Sequence, residues 1–206
     1  MSTLELWLAS WRALEADPPD ADLFLRLCER YSESHRAYHT LNHIRECFQQ
    51  LTSYPSEPDH RGELEIALWF HDAIYDTQRH DSENLSAAWA ADSLERAAVP
   101  QHVIANVRDL ILATKHHSTP ATPDQALLID IDLSILGAAP DRFDEYERQI
   151  RHEYSWVPED AYRDARGRVL REFQDRYLLY TTEHFRKTLE VRARENLARS
   201  LRSLGA

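Results

Sequence analysis

A histidine and an aspartate stand side by side within one of the most apolar stretches of this chain. The run LEIALWFHDAIY, residues 64–75, is hydrophobic on nearly every face of a helix, so a helix formed here would be surrounded by protein. An ionised carboxylate that is buried without a partner costs several kcal/mol. His71 and Asp72 therefore need partners, and the fold must bring those partners from elsewhere in the chain.

Helical patterns account for nearly the whole sequence. Only four of the 206 residues are glycine, 43% are hydrophobic, and no segment convincingly predicts a strand. We predict an all-α fold, a single-domain helical bundle of about ten helices that spans residues 1–206. The predicted helices are 2–16, 21–32, one that starts near Thr40 and fades within 52–60, 64–75, 82–98, 101–115, 124–137 with Gly137 as its C′ residue, 141–154, 159–179 and 183–203.

Charge and cysteine content limit the partners of the chain. The formal net charge of −11 argues against a nucleic-acid polymer or an anionic membrane as the main partner. No segment approaches the roughly 20 apolar residues of a membrane span, and the N-terminus has no apolar core of signal length. Cys28 and Cys47 have no metal-ligand spacing and form no disulfide framework, which favours a reducing compartment. We expect a cytoplasmic protein.

The unusual polar residues of the chain all fall within a motif core at about 38–137. They are His39 and His43 in YHTLNHI, His71 and Asp72 in WFHDAIYD, His116 and His117 in ATKHHSTP, and Asp130 and Asp132 in LLIDIDLSIL. His39 and His43 are four residues apart, which is the spacing of one helix face. We expect the chemistry to lie in this core and interpret 1–37 and 138–206 as packing helices.

Helix geometry separates the two aspartates of LLIDIDLSIL. Residues two apart on an α-helix point about 200° away from each other, so both carboxylates cannot face one site. Asp132 shares its face with Leu128 and Ile135, the more apolar stripe, where an unpaired carboxylate is harder to accommodate. We therefore predict that Asp132, and not Asp130, is the functional residue.

One divalent cation would satisfy several of these buried groups together. Neutral imidazole and carboxylate are its usual ligands, and His43, His71, Asp72 and Asp132 offer two nitrogens and at least two oxygens. With no thiolate at the site, a closed structural zinc site is disfavoured, and Mn, Fe, Ni, Co, Mg or catalytic Zn all fit. A lone histidine is more often an ordinary hydrogen-bonded residue, and an Asp beside a His can be a structural ion pair. The ordered conjunction of all four residues favours the metal.

These residues resemble the HD superfamily of metal-dependent phosphohydrolases, whose motif is H…HD…D on an all-α core. The chain looks most like predicted HD-type phosphohydrolases that share a YHxLxHI start, an HD followed by tyrosine and aspartate, and a DxDLxILG close. Here the blocks read YHTLNHI, FHDAIYD and DIDLSILG. The resemblance implies that His43 is the first histidine, that His71 and Asp72 are the doublet, and that Asp132 is the last aspartate.

Two further features follow from the resemblance. HDAIYDT aligns with the HDxxEDT of hydrolases that remove pyrophosphate from guanosine tetraphosphate, with Asp76 on the final acidic residue. Tyr75 stands where those enzymes carry glutamate, which argues against that substrate. Some superfamily members hold a second metal with histidines between the HD and the last aspartate. His116 and His117 occupy that region, and the sequence leaves open whether they bind a metal or a substrate phosphate.

The implied activity is hydrolysis of a small phosphorylated metabolite or nucleotide, with one or two divalent ions as cofactor. Asp72 and Asp76 are the expected catalytic carboxylates, with Asp76 one turn beyond Asp72 on a continuing helix. The residues expected around the metal or the phosphate are His39, Arg45, Arg79, Lys115, His116 and His117. Two alternatives stay open: a di-iron oxygenase, since a minority of proteins resembling this family oxidise their substrates, and a non-catalytic metal-stabilised binding protein.

Overall fold

A computed structural model describes residues 2–115 and 120–205 of the chain. These residues contain ten α-helices, one 3-10 helix and no strand, so the all-α prediction is confirmed. None of these helices is long and apolar enough to cross a membrane. The helices are α1 Thr3–Ala13, α2 Leu23–Arg30, α3 Leu41–Ser53, α4 Arg61–Phe70, α5 Ser82–Arg96, α6 Gln101–Ala113, α7 Pro123–Asp132, the 3-10 helix Leu133–Gly137, α8 Pro140–Glu153, α9 Glu159–Gln174 and α10 Glu183–Leu204.

The predicted helix ends are wrong at two places that matter for function. The helix predicted to run to residue 75 stops at Phe70, and the helix predicted to run to Gly137 stays α-helical only to Asp132. The start of α3, in contrast, is as predicted. Thr40 has an extended backbone, and its hydroxyl accepts a hydrogen bond from the Asn42 amide at 3.3 Å, as an N-cap does.

The chain forms two compact units, residues 1–129 and 130–206, and the boundary falls inside the continuous helix α7. The first unit holds α1 to α6 and the beginning of α7. The second holds the last turn of α7, the 3-10 helix and α8 to α10. The organisation of the chain as one domain stays a prediction.

Helix α4 is the centre of the first unit. It contacts α1, α3, α5 and α6, and every residue from 62 to 70 is buried, as the apolar run predicted. Aromatic side chains surround its C-terminal half. The ring of Trp7 lies edge-on against Trp69 with 5.5 Å between ring centroids, and the Trp69 indole N–H donates to the Ser10 hydroxyl at 3.0 Å. This packing fixes the axis of the helix that delivers His71.

Gly62 lets α1 and α4 approach each other more closely than any side chain would allow. A Cβ atom built at Gly62 would lie 2.6 Å from the backbone carbon and oxygen of Ala13 and from the backbone nitrogen of Leu14. Since these are backbone atoms at a helix end, they cannot rotate away. The glycine therefore sets the separation of the two helices.

Two aspartates of α7 accept hydrogen bonds from backbone N–H groups at the beginnings of other helices, where such groups lack a partner within the helix. In the first unit, the Asp124 carboxylate accepts from the amides of Asp59 at 2.9 Å and His60 at 2.8 Å, just before α4. In the second unit, Asp130 accepts from the amides of Thr181 at 2.9 Å and Thr182 at 2.7 Å, just before α10. Helix α4 and helix α10 have no side-chain cap from their own N-cap residues.

Gly137 has a packing role in the second unit, so its predicted role as a C′ residue is wrong. It ends the 3-10 helix without adopting a left-handed backbone, a conformation that Gly205 adopts after α10 with φ of 72°. A Cβ atom at Gly137 would lie 2.6 Å from the Cβ of Leu189 on α10. The small residue is needed because α10 packs directly against the 3-10 helix.

We predict that Gly62→Ala destabilises the protein by about 1–3 kcal/mol, because the new methyl group would overpack a rigid backbone contact. An alanine in place of glycine within a helix normally stabilises by roughly 0.5–1 kcal/mol, so the expected sign is reversed here. Chemical denaturation of the variant and the wild type measures the difference. A Gly62→Ala protein as stable as the wild type would show that α1 and α4 are not held at this distance.

Candidate metal centre

His71 is the first residue beyond α4, and its ring is held by the helix that it ends. The residue is 2% exposed, and Nδ1 of its ring lies 2.9 Å from the Leu68 carbonyl oxygen. Since a carbonyl oxygen only accepts hydrogen bonds, Nδ1 carries the proton. In the neutral ring Nε2 then presents its lone pair, which is the tautomer that a metal-ligating histidine uses.

The His43 ring, which projects from α3, meets the His71 ring at this nitrogen. His43 is 1% exposed, and its Nε2 lies 3.1 Å from the Nε2 of His71. Two nitrogens that are each about 2.1 Å from one ion, at angles of roughly 90–110°, lie about 3.0–3.4 Å apart. The spacing of the two rings therefore matches that of two neighbouring ligands of one cation.

The carboxylate of Asp72 lies against both rings. Its Oδ2 is 3.0 Å from His71 Nε2 and 3.5 Å from His43 Nε2, and 19% of its side chain is exposed. Burial by itself raises the pKa of this carboxyl group, but His71, His39 and His43 outweigh burial and hold the pKa well below its ordinary value. Asp72 is therefore ionised at neutral pH, and the stabilisation that it gains from the imidazoles is lost only on strong acidification.

Asp132 lies in the last turn of α7, in the second unit. It offers a carboxylate oxygen that could join the ring nitrogens of His43 and His71 as a ligand of a metal ion. Two imidazoles and a carboxylate are a donor set that common divalent transition metals accept, and buried charge is stable when it coordinates an ion.

The reason given for choosing Asp132 over Asp130 is wrong, and the choice itself stays a prediction. Asp130 is the more buried residue, at 0% exposure, whereas Asp132 is half-buried. Asp130 is stable there because it accepts three hydrogen bonds from Thr181 and Thr182. Burial raises the pKa of Asp130, although these hydrogen bonds oppose the shift. The deeper carboxylate is thus structural.

Asp76 does not lie one turn beyond Asp72 on a helix, because α4 has already ended at Phe70. Residues 71–81 form turns and bends. The Asp76 side chain is exposed, and its Oδ1 accepts from the Gln78 amide at 2.9 Å. This hydrogen bond stabilises a surface turn, so the geometric basis for a catalytic role of Asp76 is lost.

His39 lies beside the buried histidines, although not for the predicted reason. It precedes α3 and so does not share a helix face with His43. Its ring centroid is 6.0 Å from that of His43, and the ring stacks on Tyr75 with centroids 4.0 Å apart. Tyr75, the residue that replaces the glutamate of the guanosine tetraphosphate hydrolases, thus contacts a histidine next to the cluster. His39 also contributes to lowering the pKa of Asp72.

The other predicted phosphate contacts are engaged away from the two rings. Arg45 donates to the Thr3 hydroxyl on α1 at 2.9 Å, and Arg79 forms a two-pronged ion pair with Asp81 at 2.9 Å. Lys115 donates to the His80 carbonyl at 2.9 Å and to the side chain of Asn84. The predicted residues His116 and His117 lie outside the described part of the chain.

Sequence reasoning missed Arg36, which lies in the irregular segment before α3. Its side chain is 0% exposed, and its guanidinium donates to the backbone carbonyls of Asp72 at 2.7 Å and Ala73 at 3.1 Å. The available signal was an arginine three residues before His39 in HRAYHT. Nothing in that spacing indicates burial, because the partners of Arg36 come from a distant part of the chain.

We predict opposite effects for the two aspartates of α7. Asp132→Ala should lose bound divalent metal, because it removes one of the predicted oxygen ligands. Asp130→Ala should keep the metal but lower the free energy of unfolding by about 1–3 kcal/mol, because the amides before α10 lose their acceptor. Metal analysis per chain and thermal unfolding measure the two effects. Asp164→Ala, an exposed change on α9, is the control, and a reversed pattern would contradict the assignment.

Comparisons of the chain with protein-family models, with curated proteins and with solved structures find no match. The interpretation of this site therefore depends on its own residues: two buried imidazoles that meet at their Nε2 atoms, with the carboxylate of Asp72 beside them.

Proposed function

We propose that this protein is a metal-dependent phosphohydrolase of the HD type that acts on a small phosphorylated metabolite or nucleotide. The observation that carries the proposal is the 3.1 Å approach of the two buried Nε2 atoms, with a carboxylate oxygen of Asp72 3.0 Å from one of them. Three sequence blocks in the order H, HD and D surround these residues. The chemistry of the donor set and the order of the blocks support the same class of enzyme.

In this proposal His43, His71, Asp72 and Asp132 hold one divalent cation. When bound, such an ion supplies positive charge to a phosphoryl oxygen and lowers the pKa of water. The residues fit this role because both histidines are buried and the His71 ring is already oriented by the Leu68 carbonyl.

Asp72 is the residue that we propose to handle the proton. Its carboxylate is ionised near neutral pH and part of its side chain reaches solvent, so it can accept a hydrogen bond from an attacking water molecule and then take its proton. Water access to the two histidines is limited by their burial. Asp72 is thereby a base that water can reach, and it lies next to two metal-ligating nitrogens that water reaches poorly.

We propose His39 as a cationic contact for the substrate phosphate. It lies half-buried beside His43 and helps to lower the pKa of Asp72. A protonated imidazole here can stabilise negative charge that develops on phosphoryl oxygens. Its stack on Tyr75 would hold the ring in one orientation.

We predict that the wild-type protein hydrolyses phosphate esters only with a divalent ion, and that Asp72→Asn lowers kcat at least about 100-fold through loss of the base. Purified protein would be stripped of metal, reloaded in turn with Mn, Co, Ni, Mg and Zn, and assayed on p-nitrophenyl phosphate, nucleotides and sugar phosphates. Arg79→Ala is the matched control, since this exposed arginine pairs with Asp81, and it should retain full turnover.

Two other outcomes would contradict the proposal. Metal-loaded protein that hydrolyses none of these esters would favour a non-catalytic, metal-stabilised binding protein. Two irons per chain together with a visible absorption band would favour a di-iron oxygenase. Measuring iron content and the absorption spectrum before the metal is stripped distinguishes these outcomes.

A further inference from the structure

The Arg36 side chain is an ionised group buried completely between aromatic rings. Its guanidinium carbon lies 5.2 Å from the centroid of the Tyr31 ring and 5.4 Å from that of Tyr75. Its Nε donates to a carboxylate oxygen of Glu33 at 3.0 Å. Burying a charge is expensive unless the charge is paired and its hydrogen bonds are satisfied. The partners of the remaining N–H groups of Arg36 therefore indicate the role of this buried side chain.

These donors connect two segments that are far apart in sequence. The Nη1 atom donates to the carbonyls of His39 at 3.1 Å and Asp72 at 2.7 Å, and Nη2 donates to the carbonyl of Ala73 at 3.1 Å. Together with the bond to Glu33, this occupies four of the five N–H groups of the guanidinium. Arg36 consequently has too few donors left to clamp a substrate phosphate with two prongs.

Both of these segments lie outside helices and so lack the hydrogen bonds that a helix would supply. His39 comes just before α3, which carries His43, and Asp72 comes just after α4, at whose end His71 lies. Arg36 donates from the segment before α3 to the carbonyls of Asp72 and Ala73 after α4. A cation just past the C-terminus of α4 is also favoured by the helix dipole.

We propose that Arg36 is a positioning residue of the metal centre, which fixes the backbone at Asp72 and at His39 so that the Asp72 carboxylate meets the two Nε2 atoms. This proposal rests on the proposed metal-binding function. Arg36 acts through carbonyl groups and touches no ligand atom itself. Lysine cannot replace it, because an ammonium group lacks the planar fork that reaches several carbonyls in fixed directions.

Arg194 on α10 provides a matched control within the same protein. It also pairs with a glutamate, Glu190, and donates to the backbone carbonyls of Phe173, Gln174 and Arg176. None of these residues is a proposed metal ligand. A change that removes this guanidinium thus measures the general cost of losing an arginine that binds several carbonyls.

The test is a titration of Co²⁺ into metal-free wild type, Arg36→Lys and Arg194→Lys, followed by the visible d–d spectrum, with thermal unfolding measured in parallel. We expect Arg36→Lys to weaken Co²⁺ binding about 10- to 100-fold and to alter the d–d spectrum, as loss of a group that orients ligands does. Arg194→Lys should leave the affinity and the spectrum unchanged. Both variants should unfold at a lower temperature than the wild type.

The outcomes separate this proposal from the one on which it rests. A wild type that takes up no Co²⁺ overturns the metal centre and the role of Arg36 together. A wild type that binds Co²⁺, with an Arg36→Lys variant of equal affinity and identical spectrum, overturns only the role of Arg36. If Arg36→Lys does not fold, Glu33→Gln takes its place, since it removes the partner of Nε at a part-exposed position. An unchanged Co²⁺ affinity in Glu33→Gln would then overturn the proposal.

Discussion

The arrangement of the candidate site depends on where α4 ends. This helix is buried on all sides, so the change from helix to turn after Phe70 takes place inside the protein, where every polar group must find a partner. The His71 ring binds the Leu68 carbonyl, and Arg36 binds the carbonyls of Asp72 and Ala73. These bonds turn the ring towards His43 and place the Asp72 carboxylate beside both imidazoles.

The sequence predicts those parts of the structure that depend on local periodicity. The largely apolar run from Leu64 to Phe70 predicted a helix buried on nearly every face, and the 100° rotation per residue separated Asp130 from Asp132. Periodicity does not show that a side chain from elsewhere, here Arg36, binds the backbone carbonyls just after α4. The predicted helix was therefore too long, and Asp76 was wrongly placed on its continuation. The apolar neighbours in the sequence also led to a wrong prediction of which aspartate, Asp130 or Asp132, is more buried.

The remaining features depend on contacts between distant residues. The partners of Asp130 lie 51 and 52 residues away, and Arg36 reaches Asp72 across 36 residues and Ala73 across 37. No spacing rule within one segment contains this information. The buried arginine therefore looked like one more residue of a polar loop, although it donates to the backbone of both Asp72 and Ala73.

Helix α7 carries an acceptor for the beginning of one helix in each unit: Asp124 for the amides before α4, and Asp130 for the amides before α10. Each carboxylate must point towards its own pair of amides, so the side chain at each of these two positions is specified in both length and charge. Helix α7 should therefore tolerate substitutions at its exposed positions far better than at Asp124 or Asp130.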